Sequence, residues 1–174
     1  MEDIKNVFDF YNSGAEIGRL ERGLGVIEFY RSKEIISSYL TGKGKTICDV
    51  GGGIGRYSEW LAEQGHDVTL IELAPVAIEY ANKEMKTPYV AKVGDARALE
   101  MPSDSCDVVL LMGPLYHLMN LYDRMTAISE AYRILKPGGL LFAAGISKFS
   151  SATWALSVYG MASILSMMTF TWTC

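Results

Sequence analysis

The sequence predicts one α/β domain built on a doubly wound parallel sheet. Short apolar runs alternate with helical patterns, and a glycine cluster follows the first run. Such alternation indicates βαβ units, whose crossovers are right-handed. The chain has 174 residues, of which 49% are apolar and 21% charged, as in globular domains and unlike disordered chains.

The predicted elements follow in order along the chain. Five strands are predicted, at 45–50, 67–71, 88–93, 106–112 and 140–144, and helices at 24–40, 56–64, 75–86 and 121–135. Residues 136–139 read as a turn, and His66 is predicted to lie at the surface. In the last helix one apolar stripe predicts the buried face, formed by Met125, Ile128, Tyr132 and Leu135.

The glycine cluster, D-V-G-G-G-I-G at 49–55, lies between a strand and a helix. Glycines let a ligand approach the backbone, and the helix N-terminus offers free N–H groups. A dinucleotide fingerprint would need glycine where the chain has Arg56, and no Walker lysine follows. Glu72 ends the next strand, where a carboxylate can accept hydrogen bonds from both ribose hydroxyls. The alternative is a tight turn beside an unrelated surface glutamate.

Further motifs complete a pattern: G-D-A at 94–96, the strand at 107–112, and L-K-P-G-G at 135–139. Together they resemble the class I S-adenosylmethionine-dependent methyltransferases over roughly residues 25–147. The last motif is typical of the small-molecule, ubiquinone/menaquinone-methylase-like group. The resemblance implies a Rossmann-like fold and methyl transfer from S-adenosylmethionine to a small-molecule acceptor, with S-adenosylhomocysteine as product.

The resemblance also implies which residues bind the cofactor. Asp49 would hold the ammonium group, Glu72 the ribose hydroxyls, and Asp95 the adenine amino group. The resemblance implies further cofactor contacts from the loop glycines, from a side chain packed on adenine, from a backbone N–H and from the end of the fourth strand. In that order these residues are Gly51, Gly53 and Gly55, then Leu73, then Ala96, and then Met112 and Gly113.

The acceptor is expected beside Tyr116 and His117, which follow the fourth strand. Histidine is the side chain whose ordinary pKa lies near neutrality, so His117 could act as a base, or it could pack or cap a helix. Tyr116 could line the acceptor pocket or pack on the sheet edge. The segment 1–44 resembles a lid, in which Tyr11, Arg19, Tyr30 and Arg31 could cover the cofactor or lie on a helix surface.

Composition and spacing argue against several other classes. The net charge of −4 and the pI near 5.2 give no basic surface for nucleic acid. G-P-L-Y at 113–116 lacks the polar first residue by which amino-methylating nucleic-acid enzymes bind their target. Cys48, Cys106 and Cys174 form no CxxC pair, so neither a metal site nor a disulfide framework is expected. The N-terminus lacks the order of a signal peptide, and a cytoplasmic location is predicted.

The tail 148–174 differs from the core 45–147, because no charged side chain follows Lys148. It is too polar for a membrane helix. Residues 147–160 read as the start of an acceptor-side helix, and the family's final β-hairpin is missing. Codons for 167–173, read one base out of frame, encode an acidic helix-like segment, so a frame shift near Gly160 is a hypothesis.

A missing hairpin would leave the fifth strand as an exposed edge. This edge, or the apolar tail, predicts a tendency to form homodimers. Two alternatives to methyl transfer stay open: a catalytically inactive module that binds the cofactor, and a nicotinamide-dependent oxidoreductase.

Overall fold

The computed structural model describes residues 17–150 together with 153, 155 and 156. One sheet contains five parallel strands in the order β3-β2-β1-β4-β5. The strands are β1 (Thr46–Val50), β2 (Asp67–Glu72), β3 (Val90–Val93), β4 (Cys106–Leu111) and β5 (Leu135–Ala143). The predicted fold class, a Rossmann-like doubly wound sheet, is confirmed.

Five α-helices are described: α1 (Leu24–Tyr39), α2 (Arg56–Glu63), α3 (Pro75–Glu84), α4 (Pro114–His117) and α5 (Leu121–Ile134). A 3₁₀ turn, Arg19–Glu21, precedes α1. Proline opens both α3 and the short α4, where its missing N–H costs no hydrogen bond. Asn120 caps α5, since its Oδ1 accepts a hydrogen bond from Tyr122 N at 2.8 Å. The helix α4 has no counterpart among the elements predicted from the sequence.

Apolar side chains from both faces of the sheet form the core. On one face, Ile36 of α1 and Leu61 of α2 are buried with Ile47 of β1. On the other face, Ile134 of α5 is buried with Val109 of β4. Because helices cover both faces, β1 and β4 are buried on both sides, which explains their unbroken apolar runs.

The buried face of α5 differs from the predicted stripe. Met125 and Tyr132 are 52% and 76% exposed, so their prediction as core residues is wrong. Ile128 and Leu135 are partly buried and pack against the core, and the fully buried residues of the helix are Ala127, Ala131 and Ile134. The buried face is therefore rotated from the predicted stripe, because two alanines with small side chains form part of it.

Two local predictions also need correction. His66 is buried rather than superficial, and its Nδ1 accepts a hydrogen bond from Lys45 N at 3.3 Å. Burial lowers the pKa of this imidazole. β5 begins at Leu135 instead of residue 140, and the predicted turn 136–139 is a break in its register with β4, between the pairs Cys106–Leu135 and Val108–Leu140.

The chain divides into two compact units, residues 1–144 and 145–174. In the second unit, residues 150, 153, 155 and 156 are helical, and Thr153 N donates to Phe149 O at 3.1 Å. Tyr11 and the segment of the proposed frame shift lie outside the described residues. Within the described part of the chain, no helix is long and apolar enough to cross a membrane, and no three side chains could jointly hold a metal ion.

Candidate functional site

A cleft lies at the carboxyl ends of the strands, where the sheet order reverses between β1 and β4. It has two parts. The loop half is lined by Arg19, Leu20, Glu28, Asp49, Gly51, Gly52, Gly53, Ile54, Arg56, Tyr57, Met112, Gly113 and Tyr116. The strand-end half is lined by Gly51, Glu72, Leu73, Gly94, Asp95, Ala96, Gly113, Pro114, His117 and Leu118.

The two halves share Gly51 and Gly113. Gly51 has a φ of 68°, and its N–H donates to Ile71 O at 2.7 Å, which fixes the loop against β2. A Cβ on Gly113 would lie 2.6 Å from Gly51 O, and one on Gly51 would lie 2.6 Å from the Pro114 ring. No larger residue fits at either position without moving the backbone, so this narrow point requires glycine.

Asp49, the last but one residue of β1, is fully enclosed, although its side chain borders the loop half. Ser58 Oγ donates to Asp49 Oδ2 at 2.7 Å. Burial, reinforced by the nearby Glu72 charge, raises the pKa of Asp49 to about 6 despite the Ser58 hydrogen bond. The carboxylate can therefore gain from a cationic group that enters the cleft.

Glu72, at the end of β2, is buried in the strand-end half. Its Oε2 accepts a hydrogen bond from Gly53 N at 3.0 Å, and its Oε1 accepts one from Ala74 N at 3.0 Å. These bonds hold the carboxylate between the glycine loop and the start of α3.

Asp95 follows β3 and lies in the same half, together with Leu73 and Ala96. Burial alone would raise its pKa, but hydrogen bonds from Arg97 hold it below its ordinary value. Three of the residues predicted to bind the adenosine part of a ligand therefore line one half with Glu72.

Gly55 is the exception among the predicted cofactor residues, because it does not line the described cleft. It adopts a φ of 80° as the N-cap of α2, and a Cβ there would lie 2.3 Å from Tyr89 Oη. Its requirement for glycine is explained by the turn and by this close packing.

The two acceptor-side candidates lie in different halves. Tyr116 borders the loop half, and His117 borders the strand-end half with Glu72 and Asp95. Their ring centroids are 4.7 Å apart. The sequence placed both beside the methyl-transfer point, and their adjacent positions in α4 put them at two neighbouring halves of the cleft.

Of the predicted lid residues, only Arg19 borders the described cleft. Its guanidinium forms a double hydrogen bond with Glu28, at 2.7 and 3.1 Å. Tyr30 is exposed, and Arg31 is paired with Glu34 on the exposed side of α1.

Sequence reasoning missed several lining residues, above all Glu28 and Tyr57. Burial raises the pKa of Tyr57 to about 12, so its hydroxyl stays protonated. The position of Tyr57 in the first turn after the glycine loop was a usable signal. Glu28 carried none, because its approach to the cleft depends on how α1 packs.

Residues 48–143 match the model of the methyltransferase domain family. The chain belongs to this family. The resemblance to class I S-adenosylmethionine-dependent methyltransferases is thereby confirmed.

Individual relatives support the assignment. The chain is 34% identical to the ubiquinone biosynthesis O-methyltransferase of Pseudomonas entomophila over 130 residues, which cover 72% of this chain and 54% of the relative. It is 30% identical to a solved SAM-dependent methyltransferase of Methanosarcina mazei, with a TM-score of 0.58 over 63% of this chain and 55% of that one.

Phosphoethanolamine N-methyltransferase 1 of Haemonchus contortus, solved with phosphoethanolamine and S-adenosylhomocysteine, gives a TM-score of 0.66 at 25% identity. The match covers 80% of this chain and 31% of that protein. The chain spans about half the length of the curated relatives it matches first.

Proposed function

We propose that the chain binds S-adenosylmethionine in this cleft and transfers its methyl group to a small-molecule acceptor. The observation that carries the proposal is the cleft itself, two side-chain-lined halves that meet at Gly51 and Gly113. Membership of the methyltransferase domain family and the S-adenosylhomocysteine bound to a structural neighbour support this choice of ligand.

The residues fit the two ends of this cofactor. In the strand-end half, Glu72 would accept hydrogen bonds from the ribose hydroxyls, and Asp95 one from the adenine amino group. Leu73 would pack on the adenine ring, and Ala96 N–H would donate to a ring nitrogen. In the loop half, Asp49 would attract the ammonium group, because a buried carboxylate gains most from a cationic partner.

Methyl transfer asks little chemistry of the protein, because S-adenosylmethionine when bound supplies an activated methyl group. The chain's task is to align the acceptor and exclude water. We assign Met112 and Gly113 to the cofactor side and Tyr116 to the acceptor side. His117 is our candidate base for an acceptor that must lose a proton.

The function is tested by calorimetric titration of the chain with S-adenosylhomocysteine and, in parallel, with NADH. We expect binding of the first and none of the second. The reverse result would favour the nicotinamide-dependent alternative.

A radiolabelled methyl-transfer assay against phenolic and amine acceptors then distinguishes an enzyme from a module that only binds the cofactor. Loss of transfer in His117→Ala, with S-adenosylhomocysteine affinity kept, is the result expected of a base.

We also propose that the chain self-associates through β5. β5 is one of the two edge strands of the described sheet, because it pairs with β4 alone, and its residue Leu141 is partly exposed. Sedimentation velocity should detect dimers as the concentration rises, and a single monomeric species throughout would contradict this.

A reducing, cytoplasmic compartment is proposed as well, because Cys48 and Cys106 are free thiols in the core.

A further inference from the structure

Arg97 grips the carboxylate of Asp95 from two residues further along the chain. Its Nε donates to Asp95 Oδ1 at 3.0 Å and to Oδ2 at 3.1 Å, and its Nη2 donates to Oδ2 at 2.6 Å. The backbone N–H of Arg97 donates to Oδ1 at 2.9 Å. A planar guanidinium that binds both oxygens of a carboxylate fixes the plane of that carboxylate as well as its position.

The other end of the same guanidinium reaches α5. Arg97 Nη1 lies 3.2 Å from Oδ1 of Asp123, in the first turn of that helix. The next residue, Arg124, donates to Leu118 O at 2.7 Å and to Met119 O at 2.8 Å. Leu118 borders the strand-end half. Arg97 therefore connects Asp95 to α5, the helix whose Arg124 binds the segment that contains Leu118.

The hydrogen bonds leave few free positions on Asp95. An ionised carboxylate offers about four acceptor positions, two on each oxygen. The backbone N–H of Arg97 binds Oδ1, Nη2 binds Oδ2, and the single Nε hydrogen is shared between the two oxygens. The acceptor capacity left to a ligand is therefore small and its direction is fixed by Arg97, which also favours the ionised form of the group.

We propose that Arg97 is a positioning residue that orients Asp95 to accept a hydrogen bond from the adenine amino group, and so sets the preference of the cleft for adenine. This rests on the proposed function, since it concerns the same ligand. A fixed acceptor attracts an amino group and repels the carbonyl oxygen that hypoxanthine carries at the same position. A carboxylate free to turn toward solvent would discriminate less, because it could avoid that oxygen.

The test compares the affinities of S-adenosylhomocysteine and S-inosylhomocysteine, in which a carbonyl replaces the amino group and the neighbouring ring nitrogen N1 gains a hydrogen. Since the N1 difference is the same for every variant, a change in the affinity ratio between variants reports the group that faces the amino position. Calorimetry on the full chain gives the ratio of the two dissociation constants. In the unmodified protein we expect a preference for the adenine compound. In Arg97→Ala the ratio should fall about tenfold, the loss of one oriented hydrogen bond to a charged group. Arg97→Lys, which keeps the charge but has no planar fork, should fall between the two.

Lys83→Ala is the matched control, because Lys83 is an exposed cation whose partner, Glu84, lies outside both halves of the cleft. Its ratio should equal that of the unmodified protein. Circular dichroism melting of every variant identifies any that fails to fold. Should Arg97→Ala be such a variant, the ratio of Arg97→Lys decides the question.

The outcomes separate the two proposals. An unchanged ratio in a folded Arg97 variant, even with both affinities reduced, would assign Arg97 to bracing α5 alone and overturn this proposal while leaving the proposed function intact. If the unmodified chain binds neither compound, the proposed function fails, and the role of Arg97 fails with it.

Discussion

Acidic residues at the amino ends of the strands and at their carboxyl ends lie in opposite electrostatic environments. We call these two ends of the sheet its amino edge and its carboxyl edge. At the amino edge, Asp107 of β4 accepts hydrogen bonds from Lys136 Nζ at 2.9 Å and from Thr46 N at 2.9 Å, and these bonds lower its pKa. At the carboxyl edge, Asp49 of β1 is fully enclosed beside Ser58, and burial raises its pKa to about 6.

The difference separates a charge that is paired within the chain from one that we propose to bind a ligand. Lys136 of the same chain stabilises the ionised form of Asp107. Burial instead destabilises the ionised form of Asp49. Glu72, close enough to raise the pKa of Asp49, is anchored by backbone N–H groups at the same edge. The ionised form of Asp49 lowers the stability of the fold, and in our proposal this cost is offset by a cationic ligand.

The largest expected effect is on stability, in Asp49→Asn. The pKa of Asp49 in the folded chain, about 6, exceeds its ordinary value of 3.8, so ionisation opposes folding and stability falls as the pH rises between these values. Removing the charge should stabilise the fold by about 3 kcal/mol at pH 8 and by about half as much at pH 5. Urea unfolding at both pH values measures this, and equal effects would contradict the assignment.

Asp49→Asn should at the same time bind S-adenosylhomocysteine more weakly, because the ammonium group loses its charged partner. In the unmodified chain, affinity should decline as the pH is lowered through about 6, where Asp49 takes up a proton. In the variant this pH dependence should disappear. Calorimetric titrations of both proteins at pH 5 and pH 8 would show whether the affinity lost in the variant and the affinity lost at low pH have the same origin.

Glu72→Ala should weaken S-adenosylhomocysteine binding by about 1–3 kcal/mol, since two ribose hydroxyls lose their acceptor. Glu63→Ala, on the exposed face of α2, is the control and should leave affinity unchanged. Unchanged affinity in Glu72→Ala would remove this residue from the site. The comparison would then rest on Asp49 alone.

The smallest effect is expected at the amino edge. The pKa of Asp107 is lowered, so its contribution is present above its ordinary pKa and is lost as the pH falls through the folded value. Asp107→Asn should destabilise the fold at pH 7 by at most about 1 kcal/mol, because the ion pair with Lys136 is partly exposed. Cofactor affinity should not change, and a loss comparable to that of Glu72→Ala would contradict the division between the two edges.

The sequence was most informative where one local signal determines the outcome. Apolar runs ended by glycine or an acid identify strands and their carboxyl ends, which is how Glu72 was assigned to the cleft, and the family resemblance added Asp49 and Asp95. The phase of α5 could not be assigned, because Ala127 and Ala131 are buried for their small size, while the larger Met125 and Tyr132 face outward. The contact of Arg97 with Asp123 joins residues far apart in sequence, and no local pattern predicts it.

The close approach of Gly51 and Gly113 has a consequence for how ligand choice can change. Side chains line both ends of the cleft, but at its middle two backbones leave no room for a Cβ. Substitution can therefore retune either end separately, while the middle is invariant in shape. A cleft of this kind can change its fit to one end of a bound molecule while it keeps its fit to the other.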